Sequence, residues 1–105
     1  MNHPKELVEA YLAASDGRGF IKSWCEQNMP SAELLNAVAI HLGREFLNRR
    51  VGFLAASGLL NQLMASVGFE TAPRTFWDYY IAFENHETSD NPDFTARADV
   101  EALVK

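Results

Sequence analysis

His41 and Glu45 are four residues apart and can share one face of a helix. A metal centre needs at least a third ligand, and the other histidines are only His3 and His86, with no H-E-x-x-H run. On a helical wheel His41 falls with Arg44 and Asn48, opposite Leu35 and Leu42, so it reads as a solvent-facing histidine near a glutamate. No metal and no cofactor is expected.

Cys25 is the sole cysteine, which excludes an internal disulfide framework and any multi-cysteine zinc module. It would act as a nucleophile only if a histidine approached it in space. Its place beside Trp24, on the apolar stripe of a short helix, predicts a buried and inert thiol. Neither a G-x-S-x-G elbow nor an S-x-x-K motif is present.

Asp16-Gly17-Arg18-Gly19 places two glycines and an arginine before a helix, where anions are attracted. It follows a helix rather than a strand and lacks the P-loop lysine, so it reads as an interhelical turn with Gly17 as a left-handed cap. Arg44, Arg49 and Arg50 form the only tight cationic cluster, and Glu33 and Glu45 share their helix. With a net charge of -5 and a pI near 5.0, nucleic acid is not expected as a partner.

The aromatic segment from Phe76 to Phe83 holds five of the twelve aromatic residues. Phe76, Tyr79, Tyr80 and Phe83 lie on one side of the wheel, with Trp77 and Ile81 roughly 100° round from them. One face can fill a core, and a second aromatic face is what an interface anchor looks like. Charge is concentrated further on. Residues 1–83 hold eight acids and seven bases, whereas residues 84–105 hold six acids against Arg97 and Lys105. Glu87, Asp90 and Asp93 are therefore expected to steer a basic partner from a polar loop, 84–93, that packs little.

Helices must position all of these groups. Apolar spacing predicts a first helix from about Pro4 to Ser15 and a short second one carrying Phe20, Ile21, Trp24 and Cys25. A third runs from near Pro30 to Arg50 on Leu35, Val38, Ala39, Leu42 and Phe46, with Gly52 as the stop. The fourth, about Phe53 to Val67, has the cleanest stripe: Phe53, Ala56, Leu60, Leu63, Met64 and Val67. Its back, Ala55, Gly58, Gln62 and Ala65, carries no charge, so either it is central or it meets a partner. Thr75 with Asp78 resembles a capping box for the fifth helix. The last, from near Asp93, uses Phe94, Val100, Leu103 and Val104. No segment alternates like a strand.

The expected fold is all-α: one domain over residues 1–105, a bundle of five to six short helices with little or no sheet. From Val51 to Phe69 nineteen residues carry no charge, but the stretch is sided and holds Ser57, Asn61, Gln62 and three glycines, so no membrane span is expected. No secretory leader pattern opens the chain, and a cytoplasmic location is expected.

The functional expectation is a non-catalytic, acidic interaction module. It would bind a basic protein, as an inhibitor, antitoxin or immunity-type protein does, or bind itself. Trp77, Ile81, Glu87, Asp90 and Asp93 are its contact residues. The alternative is a small-molecule binder or small enzyme with an aromatic pocket between helices, lined by Trp24, Cys25, Tyr79 and Tyr80.

Overall fold

Free amide groups at a helix start need acceptors, and the sequence supplies them at most starts. A computed structural model describes residues 3–104. Among these there are six helices and no strand. Helix α1, Pro4–Ala13, begins with a proline in its first turn, and His3 Nδ1 accepts from the Lys5 amide at 3.2 Å. Helix α2, Gly17–Asn28, is capped by Asp16, which accepts from Gly19 at 3.1 Å. Helix α3, Ala32–Leu47, is capped by Ser31, which accepts from Leu34 at 3.1 Å. Helix α4 spans Phe53–Val67, α5 Arg74–Glu84 and α6 Pro92–Val104.

The start of α5 departs from the local reading. Pro73 occupies the cap and offers no side-chain acceptor, so Thr75 and Asp78 form no capping box; Asp78 pairs instead with Arg74 at 3.2 Å. The acceptor comes from α3, where Asn36 Oδ1 takes the Phe76 amide at 2.8 Å. Two turns also differ. Gly17 opens α2 rather than closing α1, and α3 stops at Leu47, with Arg49 taking the left-handed conformation at φ 63°. Gly52 is extended and precedes α4. Gly68 does end α4, at φ 87°, where a side chain would be strained.

Helix α3 packs against α1, α4, α5 and α6, so its stripe of Leu35, Val38, Ala39, Leu42 and Phe46 is wholly buried. Phe53, Ala56, Leu60, Leu63 and Met64 of α4 are buried with it. Phe83 joins the two, its ring 5.0 Å from that of Phe46 and 5.8 Å from that of Phe53. The uncharged back of α4 receives α1 and α2: Tyr11 lies so close to Gly58 that a Cβ there would stand 2.9 Å from its hydroxyl. The Cα radius of gyration, 12.6 Å, matches one folded domain of about 100 residues.

The C-terminal region packs more firmly than its polarity suggests. Ala96 and Val100 of α6 are fully buried, while Phe94, expected on the apolar side, is 73% exposed. Arg97 donates to the Leu47 carbonyl at 3.2 Å and to Asp93 at 3.0 Å, with its guanidinium 4.8 Å from the centre of the Phe46 ring. The segment between α5 and α6 is tied on two sides. His86 Nε2 meets Asp99 at 2.7 Å, and Glu87 accepts from Ser57 and Asn61 of α4, both at 2.8 Å. None of residues 84–93 is buried, so the segment packs little, as expected, and it is held by side-chain hydrogen bonds to α4 and α6.

Candidate functional site

Three aromatic rings meet where α4 gives way to α5. Gly68 turns the chain out of α4, and Thr71 closes the turn by donating its hydroxyl to the Val67 carbonyl. Phe69 is thereby laid against α5. Its ring centre is 5.6 Å from that of Trp77 and 6.1 Å from that of Tyr80, nearly perpendicular to both. Trp77 and Tyr80 are 5.8 Å apart. Phe69 is 62% exposed and the other two are half-buried, so the cluster presents ring surface to solvent.

Carboxylates border the cluster. Burial, then the charges of Glu84 and Glu87, push the Tyr80 hydroxyl above its ordinary pKa. Glu84 is likewise raised, first by burial and then by the charge of Glu87 and a hydrogen bond to it. Glu87 is held in place by Ser57, which is buried, and by Asn61. Exposed Leu54 lines the same shallow recess as Ser57, Asn61 and Glu87. Phe69, Trp77 and Tyr80 are in ring contact, Glu84 follows Tyr80 by one turn of α5, and Glu87 lies near enough for its charge to act on both.

The residues expected to bind a partner are divided by the structure. Trp77 and Ile81 are half-buried and line a groove between α5 and α6, with Ala102 and Leu103 on its far side. Glu87 belongs to the aromatic face. Asp90 is exposed on the segment between helices, and Asp93 is committed to Arg97.

The residues expected to line a pocket do not share one. Tyr79 is buried over Gly43 of α3, and Tyr80 belongs to the surface cluster. Trp24 and Cys25 lie on α2, which packs against α1 and α4. Cys25 is buried, and burial pushes its thiol pKa up, against a smaller opposing effect from a hydrogen bond with Ser66. It forms part of a recess of about 540 Å³ between α2 and α4, with Arg18, Lys22, Gln62 and Ser66. Trp24 Nε1 is buried without a hydrogen-bond partner among the described residues. His41 is half-buried, 3.8 Å from Glu45, and Glu45 also receives Arg50 at 2.9 Å. Among the described residues no three potential metal ligands come together.

Family models, curated proteins and solved structures were compared with this chain, and none matches it.

Phe69, Glu84, Ser57 and Asn61 were not singled out by the sequence reading. Phe69 follows a helix-ending glycine and lies outside the stripes of both α4 and α5, so no periodic pattern draws attention to it. Ser57 and Asn61 lie on α4 at i and i+4, and only the fold shows that Glu87 comes back to meet them.

Proposed function

We propose that this chain is a non-catalytic interaction module that binds a protein partner through the face formed by Phe69, Trp77, Tyr80, Glu84 and Glu87. The supporting observation is the exposed aromatic cluster. Three mutually packed rings at the surface offer large, stiff contact area, the kind that dominates interface energetics. Its acidic border favours a basic partner, as an inhibitor, antitoxin or immunity-type protein would have.

A pull-down from native extract tests the reading. Wild-type protein should retain a partner that Trp77→Ala or Phe69→Ala loses, and the mass of the free protein in solution reports self-association. Equal retention by all three forms would sink the assignment of this face. A second reading, a small-molecule binder, has the recess between α2 and α4 in its favour; this recess has Cys25 at its wall but none of the expected aromatic lining. No helix among the described residues is long and apolar enough to cross a membrane. We propose a cytoplasmic location, which cell fractionation would test.

A further inference from the structure

Resting on that reading, we propose that the occupant of the aromatic face is an arginine-bearing segment of a protein partner, one guanidinium lying on the exposed rings and reaching the carboxylates of Glu84 and Glu87. Charge complementarity selects this occupant. Residues 69–90 hold five acids, Glu70, Asp78, Glu84, Glu87 and Asp90, against one base, Arg74. Arg74 is already paired with Asp78 at the start of α5. The rings are too close together to enclose a cation, since their centres are 5.6 to 6.1 Å apart. A planar cation can stack on their outer surface instead, which is where guanidinium differs from ammonium.

The second part of the site is the carboxylate pair. Glu87 cannot swing away from Glu84 without giving up its bonds from Ser57 and Asn61. Glu84 lies one helical turn after Tyr80 on α5, and Glu87 is fixed three residues further on by its bonds from α4, so a forked donor stacked on the rings can address both carboxylates. A second copy of this chain is disfavoured, because it would set one acidic border against another. Nucleic acid is disfavoured by the same repulsion.

The test uses the intact protein and a capped, arginine-rich peptide, with lysine and glutamate counterparts of equal length. Binding is followed by NMR at the two indole N–H signals. Trp77 reports the site and buried Trp24 serves as the internal control. The arginine peptide should move the Trp77 signal and leave Trp24 in place. It should bind more tightly than the lysine peptide, and more weakly as salt is added. Glu84→Gln should weaken it about threefold, the scale of one surface ion pair. Phe69→Ala, a change at an exposed position, should weaken it about tenfold.

Binding that is equal in the variants, or equal for the glutamate peptide, would overturn the proposal. So would a Trp77 signal that shifts with protein concentration alone, which would assign the face to a second copy. No shift up to about 1 mM peptide, where even weak complexes form, would reject arginine as the occupant. The pull-down would then still decide whether the protein is an interaction module at all.

Discussion

The ring of Tyr79 rests on the Cα of Gly43, so close that a Cβ at position 43 would come within 2.4 Å of its Cε1. This contact sets the approach of α5 to α3. Tyr79 is 2% exposed and has no room to withdraw. Gly43→Ala should therefore destabilise the protein by about 1–3 kcal/mol, the usual cost of overpacking, even though alanine favours helix. Tyr79→Leu in the same chain should remove most of that cost. Chemical denaturation of both single variants and the double variant would show the coupling, and additive losses would mean the ring is not the obstacle.

Leu60 is fully buried in the middle of α4. Leu60→Ala should cost about 2–5 kcal/mol, the range for a large core side chain removed without collapse. A denaturation midpoint close to wild type would show that the α4 stripe is not the centre of the core.

Cys25 is buried, and its thiol pKa is raised chiefly by that burial. The thiolate is the reactive form, so a thiol reagent should label Cys25 slowly in the native protein and quickly after denaturation. Fast native labelling near neutral pH would reopen the case for the recess between α2 and α4.

Arg97 connects α6 to α3 through the Leu47 carbonyl and the face of Phe46. Arg97→Ala should cost about 1–3 kcal/mol, combining a charged hydrogen bond with a cation–π contact. Arg97→Lys keeps the charge but neither the fork nor the planar stacking, so it should recover only part of the loss. Thermal denaturation of the two variants is the measurement.

Glu84 provides the pH dependence. Its folded pKa lies above the ordinary glutamate value because of burial and the neighbouring Glu87, with Tyr80 beside both. The folded state then binds this proton more tightly than the unfolded state. Stability falls as pH rises from the unfolded pKa through the folded one, and the penalty stays at higher pH. Glu84→Gln should raise stability at neutral pH by up to about 0.5 kcal/mol, since solvent screens much of the repulsion. The gain should vanish below about pH 4, where both states are protonated. Melting curves at the two pH values distinguish this from a uniform effect of the amide.

The fold was legible where burial follows a repeat of three to four residues. Leu35, Val38, Leu42 and Phe46 on α3, and Phe53, Leu60 and Leu63 on α4, are all buried as their spacing predicts. Legibility failed where the partner of a residue is far along the chain. Asn36 caps a helix forty positions away, and Glu87 is held from thirty and twenty-six positions away. No local pattern encodes such pairs, so Thr75 looked like the cap and the bonds that tie the 84–93 segment to α4 went unseen. Phe94 misled for another reason: the buried stripe of α6 runs through Ala96 and Val100, and Phe94 lies about 200° round the helix from Ala96. Of the proposed face, Trp77 was named from its place on the helical wheel and Glu87 from the acidity of its segment, but their settings depend on Phe69 and on α4.

The clasp between Arg97 and Leu47 also bears on how the molecule is made. The exit order of a nascent chain is its sequence order, and the two groups are fifty residues apart. While the last helix is still inside the ribosome, Phe46 lacks the guanidinium that covers its ring, and the pocket for Val100 stands open. The earlier helices then keep apolar surface showing until residues 92–104 emerge, an interval open to chaperones and to misassembly with neighbouring chains.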